Sequence, residues 1–178
     1  MAEERCPLAA VLAADVVGYS RLMEQDETDT LATLKARRKE VLEPLVAQHR
    51  GRIFKLTGDG VLVEFGSAVN AVQCAIELQH GMAAANANIA EARHMVLRIG
   101  VNLGDVMVEA DDLYGDGVNI AARLEGIAEP GGIALSGTAF DHVKNKVKAG
   151  IEDLGIQTLK NIAEPVRVYR IIDTPRVE

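Results

Sequence analysis

Six side chains, at Asp15, Lys55, Asp59, Asp112, Asn119 and Arg123, are spaced as chemistry would need them. Asp15 closes an apolar run, Leu8–Ala14 (LAAVLAA), and precedes a Gly-containing turn, Val16–Ser20 (VVGYS). An acid there can simply cap a turn. It can also ligate a metal, with the backbone N–H groups of Val16, Gly18, Tyr19 and their neighbours receiving phosphate oxygens. Asp59 sits in Gly58-Asp59-Gly60, which alone reads as a hairpin turn. Two acids on adjacent strand ends can share divalent cations, and Mg²⁺ is commonly held by one or two carboxylates plus substrate phosphates. Asn119 and Arg123 are four residues apart, so they share one helix face. Together they can clamp a nucleotide, the arginine meeting phosphate charge and the asparagine a sugar oxygen. Taken alone they are also an ordinary solvated face. Lys55 donates and Asp112 accepts, a pattern complementary to the adenine edge, although without context they are two exposed charges.

The elements that must position these groups are legible in outline. Leu8–Ala14 predicts a buried strand. Residues 28–49 read as a helix with Leu31, Leu34, Val41, Leu42 and Leu45 on one stripe, kinked or shortened by Pro44. Arg52–Thr57 (RIFKLT) and Val61–Phe65 (VLVEF) predict a hairpin. Alternation puts Phe54 and Leu56 on one face and Lys55 on the other. Ser67 caps a helix running to about Ala85. Leu97–Val101 and Asp105–Glu109 read as paired strands across Asn102–Gly104, followed by a loop at Asp111–Gly117. A helix from about Val118 to Ile127 then has Ile120, Leu124 and Ile127 as its apolar stripe. Ile133–Leu135 is a short strand, Thr138–Val143 a small helix, and Glu152–Leu159 and Val166–Ile172 are strands. The order βαββαβ predicts an α+β fold, a ferredoxin-like core with additional α and β elements. Its helices would cover one face of the sheet and leave the other open, with Lys55 on the open side.

Composition narrows the function. The 178 residues suit a single domain, 1–178, with a core at about 8–172. Aromatics are 3% and Trp is absent, so few rings could stack bases. A net charge of −7 argues against binding a phosphate backbone, hence no nucleic acid. A small phosphorylated ligand remains open because a metal bridges acid to phosphate. Cys6 and Cys74 match no disulfide or zinc spacing and read as free thiols in a reducing compartment. The four histidines are scattered and receive no role. No run is long enough to span a membrane, and MAEERC is no signal peptide, so the chain reads as cytoplasmic.

Read together, the motifs resemble class III nucleotidyl cyclase catalytic domains over about residues 8–172. They are AADVVGYSRL (Ala13–Leu22), FKLTGDGVLVEF (Phe54–Phe65), RIGVNLGDV (Arg98–Val106) and DLYGDGVNIAARLE (Asp112–Glu125). The closing LKNIAEPVRVYRI (Leu159–Ile171) resembles bacterial members. The resemblance implies that Asp15 and Asp59 bind two Mg²⁺ or Mn²⁺ ions. It implies that Lys55 and Asp112 select adenine, where guanylate cyclases usually carry Glu and Cys. Asn119 would orient the ribose, Arg123 would stabilise the transition state, and Lys160 would contact the terminal phosphates. Ala13 departs from the Phe of many members. The implied protein is an ATP-using homodimer with active sites at the subunit interface, Asp15 and Asp59 from one chain and the other residues from its partner. A guanylate cyclase, or a silent homology domain that binds nucleotide as a sensor, are the alternatives.

Overall fold

The computed structural model describes residues 7–172. The opening apolar run is strand β1 (Leu8–Val16). Ala10, Leu12, Ala14 and Val16 face one hydrophobic layer, and Val11 and Ala13 face another. Burial on both sides is why the run is continuous instead of alternating. After it come α1 (Tyr19–Gln25), α2 (Glu27–Arg37), a π-helical turn (Arg38–Leu42) and α3 (Glu43–Gln48). Then follow β2 (Arg52–Thr57), β3 (Gly60–Phe65), α4 (Ala68–Asn86) and β4 (Leu97–Asp105). The chain continues through β5 (Met107–Glu109), β6 (Asp112–Tyr114), α5 (Asp116–Ile127), β7 (Ile133–Ser136), α6 (Gly137–Val143), β8 (Ile151–Gln157) and β9 (Val166–Ile171).

Seven strands form one sheet in the order β2-β3-β1-β4-β7-β9-β8. Each neighbouring pair among the first four is antiparallel, so β1 and β2 run parallel with β3 between them, the split βαβ arrangement expected of a ferredoxin-like core. β7 joins β4 in parallel, and β9 and β8 extend the sheet. The fold is therefore α+β, as the sequence predicts. Ser67 accepts from the Asn70 N–H and caps α4. Buried amides close the seams: Gln79 donates to the Leu97 and Gly132 carbonyls, and Asn86 exchanges hydrogen bonds with Met95. Cys74 is a free, buried thiol, pushed up to about 12 by burial and then by Glu77, so it is inert. Cys6 lies outside the described residues.

Several expectations are corrected. The helix expected over 28–49 is two helices joined by a π turn. Pro44 has no N–H to donate and its ring crowds the preceding turn, so the backbone widens just before it. The extra residue shifts the stripe: Leu31 is exposed, while Thr30, Leu34, Leu42 and Val46 are buried. Asn102–Gly104 is not a turn but the interior of β4, and the short hairpin forms later, between β5 and β6. The supposed loop at 111–117 therefore holds β6 and the start of α5. The far face of the sheet is not open either, because α5 lies across β1 and β4 there. A register shift between Ile53 and Lys55 also overrides the alternation of β2. Phe54 and Lys55 consequently both turn toward the α5 side.

Gly100 sets the depth of α5. A Cβ there would meet the Glu125 nitrogen at 2.3 Å and the Ala121 carbonyl oxygen at 2.5 Å, both backbone atoms. With that clearance the helix buries Gly117, Val118, Ala121 and Leu124, and leaves Ile127 exposed. The apolar stripe is thus turned from the one expected. Gly100→Ala should lower the urea midpoint by about 1–3 kcal/mol of stability as α5 is pushed away. Gly126→Ala, on the same helix with open space around it, should stabilise by about 0.5–1 kcal/mol.

Candidate active site

The two aspartates meet at the end of β1. Asp59, at the tip of the β2–β3 hairpin, turns back so that its Oδ2 accepts from the Val16 N–H at 3.0 Å. Gly58 holds φ +59° at that tip. Arg38, projected from the π turn, donates to the Gly58 carbonyl and clamps the hairpin. The helix defect before Pro44 therefore has a local use. Asp15 is half-buried, and its Oδ1 is fully shielded without a hydrogen-bond partner.

The structure adds two residues that spacing alone did not single out. Arg98 stands opposite Asp15 in the β1–β4 register, with Nε buried and unpartnered. Glu125, on the sheet side of α5, lies near enough to Asp15 for the two acids to interact, and its Oε1 is buried and unpartnered. Burial, then the Asp15 hydrogen bond and charge, push Glu125 up to about 9; Asp59 adds to this and Arg98 opposes it. Both residues lie inside motifs already quoted, RIGVNLGDV and DLYGDGVNIAARLE. The available signal was a charge in an otherwise small or apolar stretch.

Of the backbone donors expected at Val16–Ser20, two are committed. The Val16 N–H serves Asp59, and the Val17 N–H donates to the Val96 carbonyl at 2.8 Å. Gly18 takes φ +64° as the N-cap of α1, and Tyr19 opens that helix while packing against the core. The first-turn amides of α1 are left without intrahelical acceptors.

The second group of residues lies elsewhere. Lys55 Nζ is 3.8 Å from Asp112 Oδ2, so the expected donor and acceptor stand side by side, each nearly half exposed. Asn119 is exposed and Arg123 half-buried on α5, and neither side chain has a partner among the described residues. Lys160 is exposed in the β8–β9 connection, beside Asn161 with φ +62°. Successive helical residues turn by about 100°, so Arg123 and Glu125 are about 200° apart. The carboxyl contact is beneath α5 and the Asn119–Arg123 face looks away from it. Two clefts of about 520 and 900 Å³ contain none of these groups, and Asp59 borders a space of about 30 Å³.

The carboxyl cluster fits a divalent cation. It holds two shielded, unpartnered carboxyl oxygens, Asp15 Oδ1 and Glu125 Oε1, and too little positive charge for the acids present. Among the described residues no group of three or more His, Cys, Asp and Glu is arranged as a ligand set. Two carboxylates completed by substrate oxygens suit Mg²⁺, which is seldom caged by protein alone.

Comparison with known proteins converges on one family. The family model for the adenylate and guanylate cyclase catalytic domain matches residues 1–172. "Putative adenylate cyclase 3" of Rhizobium meliloti (strain 1021) is 60% identical over 171 residues, 95% of this chain and 29% of that protein. The chain thus spans under a third of that relative's length. A crystal structure titled as an adenylate/guanylate cyclase/hydrolase from Silicibacter pomeroyi superposes with a TM-score of 0.88 at 43% identity, covering 95% of this chain and 98% of the other. The adenylyl cyclase CyaB from P. aeruginosa gives 0.83 at 26% identity, with 98% of each chain covered.

The raised Glu125 carboxyl makes a signed prediction. Its stabilising protonation is complete below the ordinary 4.5 and is lost as pH rises through about 9. The metal-free protein should therefore lose thermal stability from about pH 5 to 9. Asp15→Asn should make the profile shallower, leaving the part that burial of Glu125 imposes. A flat profile in the metal-free native chain would contradict the crowding.

Proposed function

This chain belongs to the adenylate and guanylate cyclase catalytic domain family, and we propose that it forms 3′,5′-cyclic AMP and pyrophosphate from ATP at active sites shared between two copies. The ribose 3′-oxygen bonds to the α-phosphorus, the bond to the β-phosphate oxygen breaks, and the 3′-proton passes to solvent. Asp15 and Asp59 of one chain would hold the Mg²⁺ or Mn²⁺ ions. Bound there, the ions supply Lewis-acid activation of the 3′-hydroxyl and neutralise triphosphate charge. Asn119 of the other chain orients the ribose. Its Arg123 meets charge developing on the α-phosphoryl group and the bridging oxygen, and Lys160 meets the terminal phosphates. No side-chain nucleophile is required, because positioning and electrostatics carry most phosphoryl-transfer catalysis.

One observation supports the sharing above all: Arg123 faces away from its own chain's carboxylates, on the opposite side of α5. That opposite placement favours a site in which the arginine comes from a second chain. Homodimeric symmetry then yields two equivalent sites. No helix among the described residues is long and apolar enough to cross a membrane.

The adenine preference rests on Lys55 and Asp112. Adenine offers an acceptor at N1 and a donor at N6, which this 3.8 Å pair complements. Guanine reverses that pattern, which disfavours a guanylate cyclase. A silent homology domain is disfavoured because both acids and the arginine are present.

Lys55→Glu with Asp112→Cys should raise GTP use relative to ATP, since a site built for particular hydrogen bonds penalises the base that leaves them unpaired. An unchanged ratio would remove the pair from the base pocket. For the shared site, Asp59→Ala and Arg123→Ala homodimers should each be nearly inactive, the arginine loss costing roughly 10²–10³ in rate. After subunit exchange between them, half the dimers are mixed, each with one intact site, so activity should return to about a quarter of native. No recovery despite heterodimers seen with differently tagged chains would contradict sharing.

A further inference from the structure

Asp112, read above as the acceptor for adenine, sits on a lightly held piece of chain. It opens β6, which pairs with β5 in a two-stranded sheet of three residues each, apart from the seven-stranded one. Glu109 pairs with Asp112, so Ala110 and Asp111 form the turn between them. Both are exposed, and Ala110 holds φ +53°, a left-handed conformation that a side chain disfavours. A two-stranded hairpin is only marginally stable by itself. Leu113 anchors β6 in the layer between the sheet and α5, but the turn lies beyond that anchor.

The Lys55–Asp112 pair does not hold itself in place. Both side chains are nearly half exposed, and ion pairs so exposed are weak. Asp112 Oδ1 accepts from the Leu113 N–H at 2.9 Å, which orients the carboxyl on its own strand but not toward β2. Arg52 makes that connection. Its Nη1 donates to the Asp111 carbonyl at 2.8 Å, and its Nε donates to Glu64. A planar guanidinium serves two acceptors at a fixed angle, so the turn is tied to β2 and β3 at once.

The register shift in β2 makes this possible. Three residues apart on a regular strand, Arg52 and Lys55 would point to opposite faces. With Phe54 as the extra residue, Arg52 stands across from Glu64 and Lys55 across from Leu62. Those partners are two apart on β3, so Arg52 and Lys55 share a face. We propose that Arg52 is a positioning residue for base choice: by gripping the Asp111 carbonyl it holds Asp112 at reading distance from Lys55, and so sets how strongly the site prefers adenine to guanine. This role rests on the adenine reading above.

The test compares kcat/KM for ATP and for GTP, with Mn²⁺, in the native protein, Arg52→Ala, Asp112→Ala and the double variant. Arg52 is 44% exposed, so its truncation leaves no buried cavity. Arg52→Ala should lower the ATP to GTP ratio about tenfold, because displacement by about 1 Å is costly to an aligned group. Asp112→Ala should lower it at least as far. Adding Arg52→Ala to Asp112→Ala should change the ratio by less than about twofold, since both act through one carboxylate. In the nucleotide-free protein, Arg52→Ala should speed hydrogen exchange at residues 109–113, and Lys55→Ala should not.

A native ratio in Arg52→Ala beside a lowered one in Asp112→Ala would overturn the role of Arg52 and leave the adenine reading standing. So would a full further fall in the double variant, or exchange unchanged by Arg52→Ala. A native ratio in Asp112→Ala would overturn the adenine reading, and the role of Arg52 in base choice with it.

Discussion

A helix that approaches a strand closely enough to exclude a methyl group has almost no rotational freedom left. α5 does so at Gly100, where backbone meets backbone. Given that contact, helical geometry dictates the rest. Glu125 must enter the seam beside Asp15, and Asn119 and Arg123 must look outward. The separation of carboxylates from arginine within one chain thus follows from one glycine. On the shared-site reading proposed above, a second copy would bring the halves together.

The carboxylates depend on a similar economy of parts. Asp59 reaches the end of β1 because a two-residue turn directs it there and a backbone N–H receives it. Arg38 holds that turn, and Arg38 is in place because Pro44 forces a π turn upstream. Burial first, and then the neighbouring acids, hold the Glu125 carboxyl far above its ordinary range.

Much of this was legible in the sequence. The β1 run, the hairpin at Gly58-Asp59-Gly60, the Ser67 cap and the βαββαβ order all follow from local pattern, and each element forms as read. The pairing of Lys55 with Asp112 was anticipated only from their complementary chemistry and the family resemblance. What failed was tertiary. Alternation could not reveal the register shift in β2 that turns Phe54 and Lys55 the same way. Asn102–Gly104 looks like a turn, yet Asn102 is buried in β4 and donates to the Gly117 carbonyl, and Gly104 faces the same helix start. Glu125 and Arg98 each show only a lone charge in the sequence, and a lone charge in a helix or strand is usually solvated. Only the packing of α5 brings them to Asp15.

The central claim is that these carboxylates support intramolecular attack on the α-phosphate of ATP. Its most direct measurement is the product. Purified native protein should be incubated with ATP and Mn²⁺, beside Asp15→Ala and Asp59→Ala proteins shown to be folded, and the nucleotides separated. The account predicts 3′,5′-cyclic AMP and pyrophosphate in equal amounts from the native chain and neither from the variants. Linear AMP or ADP as the product, or cyclic AMP formed at near-native rate by either variant, would contradict it.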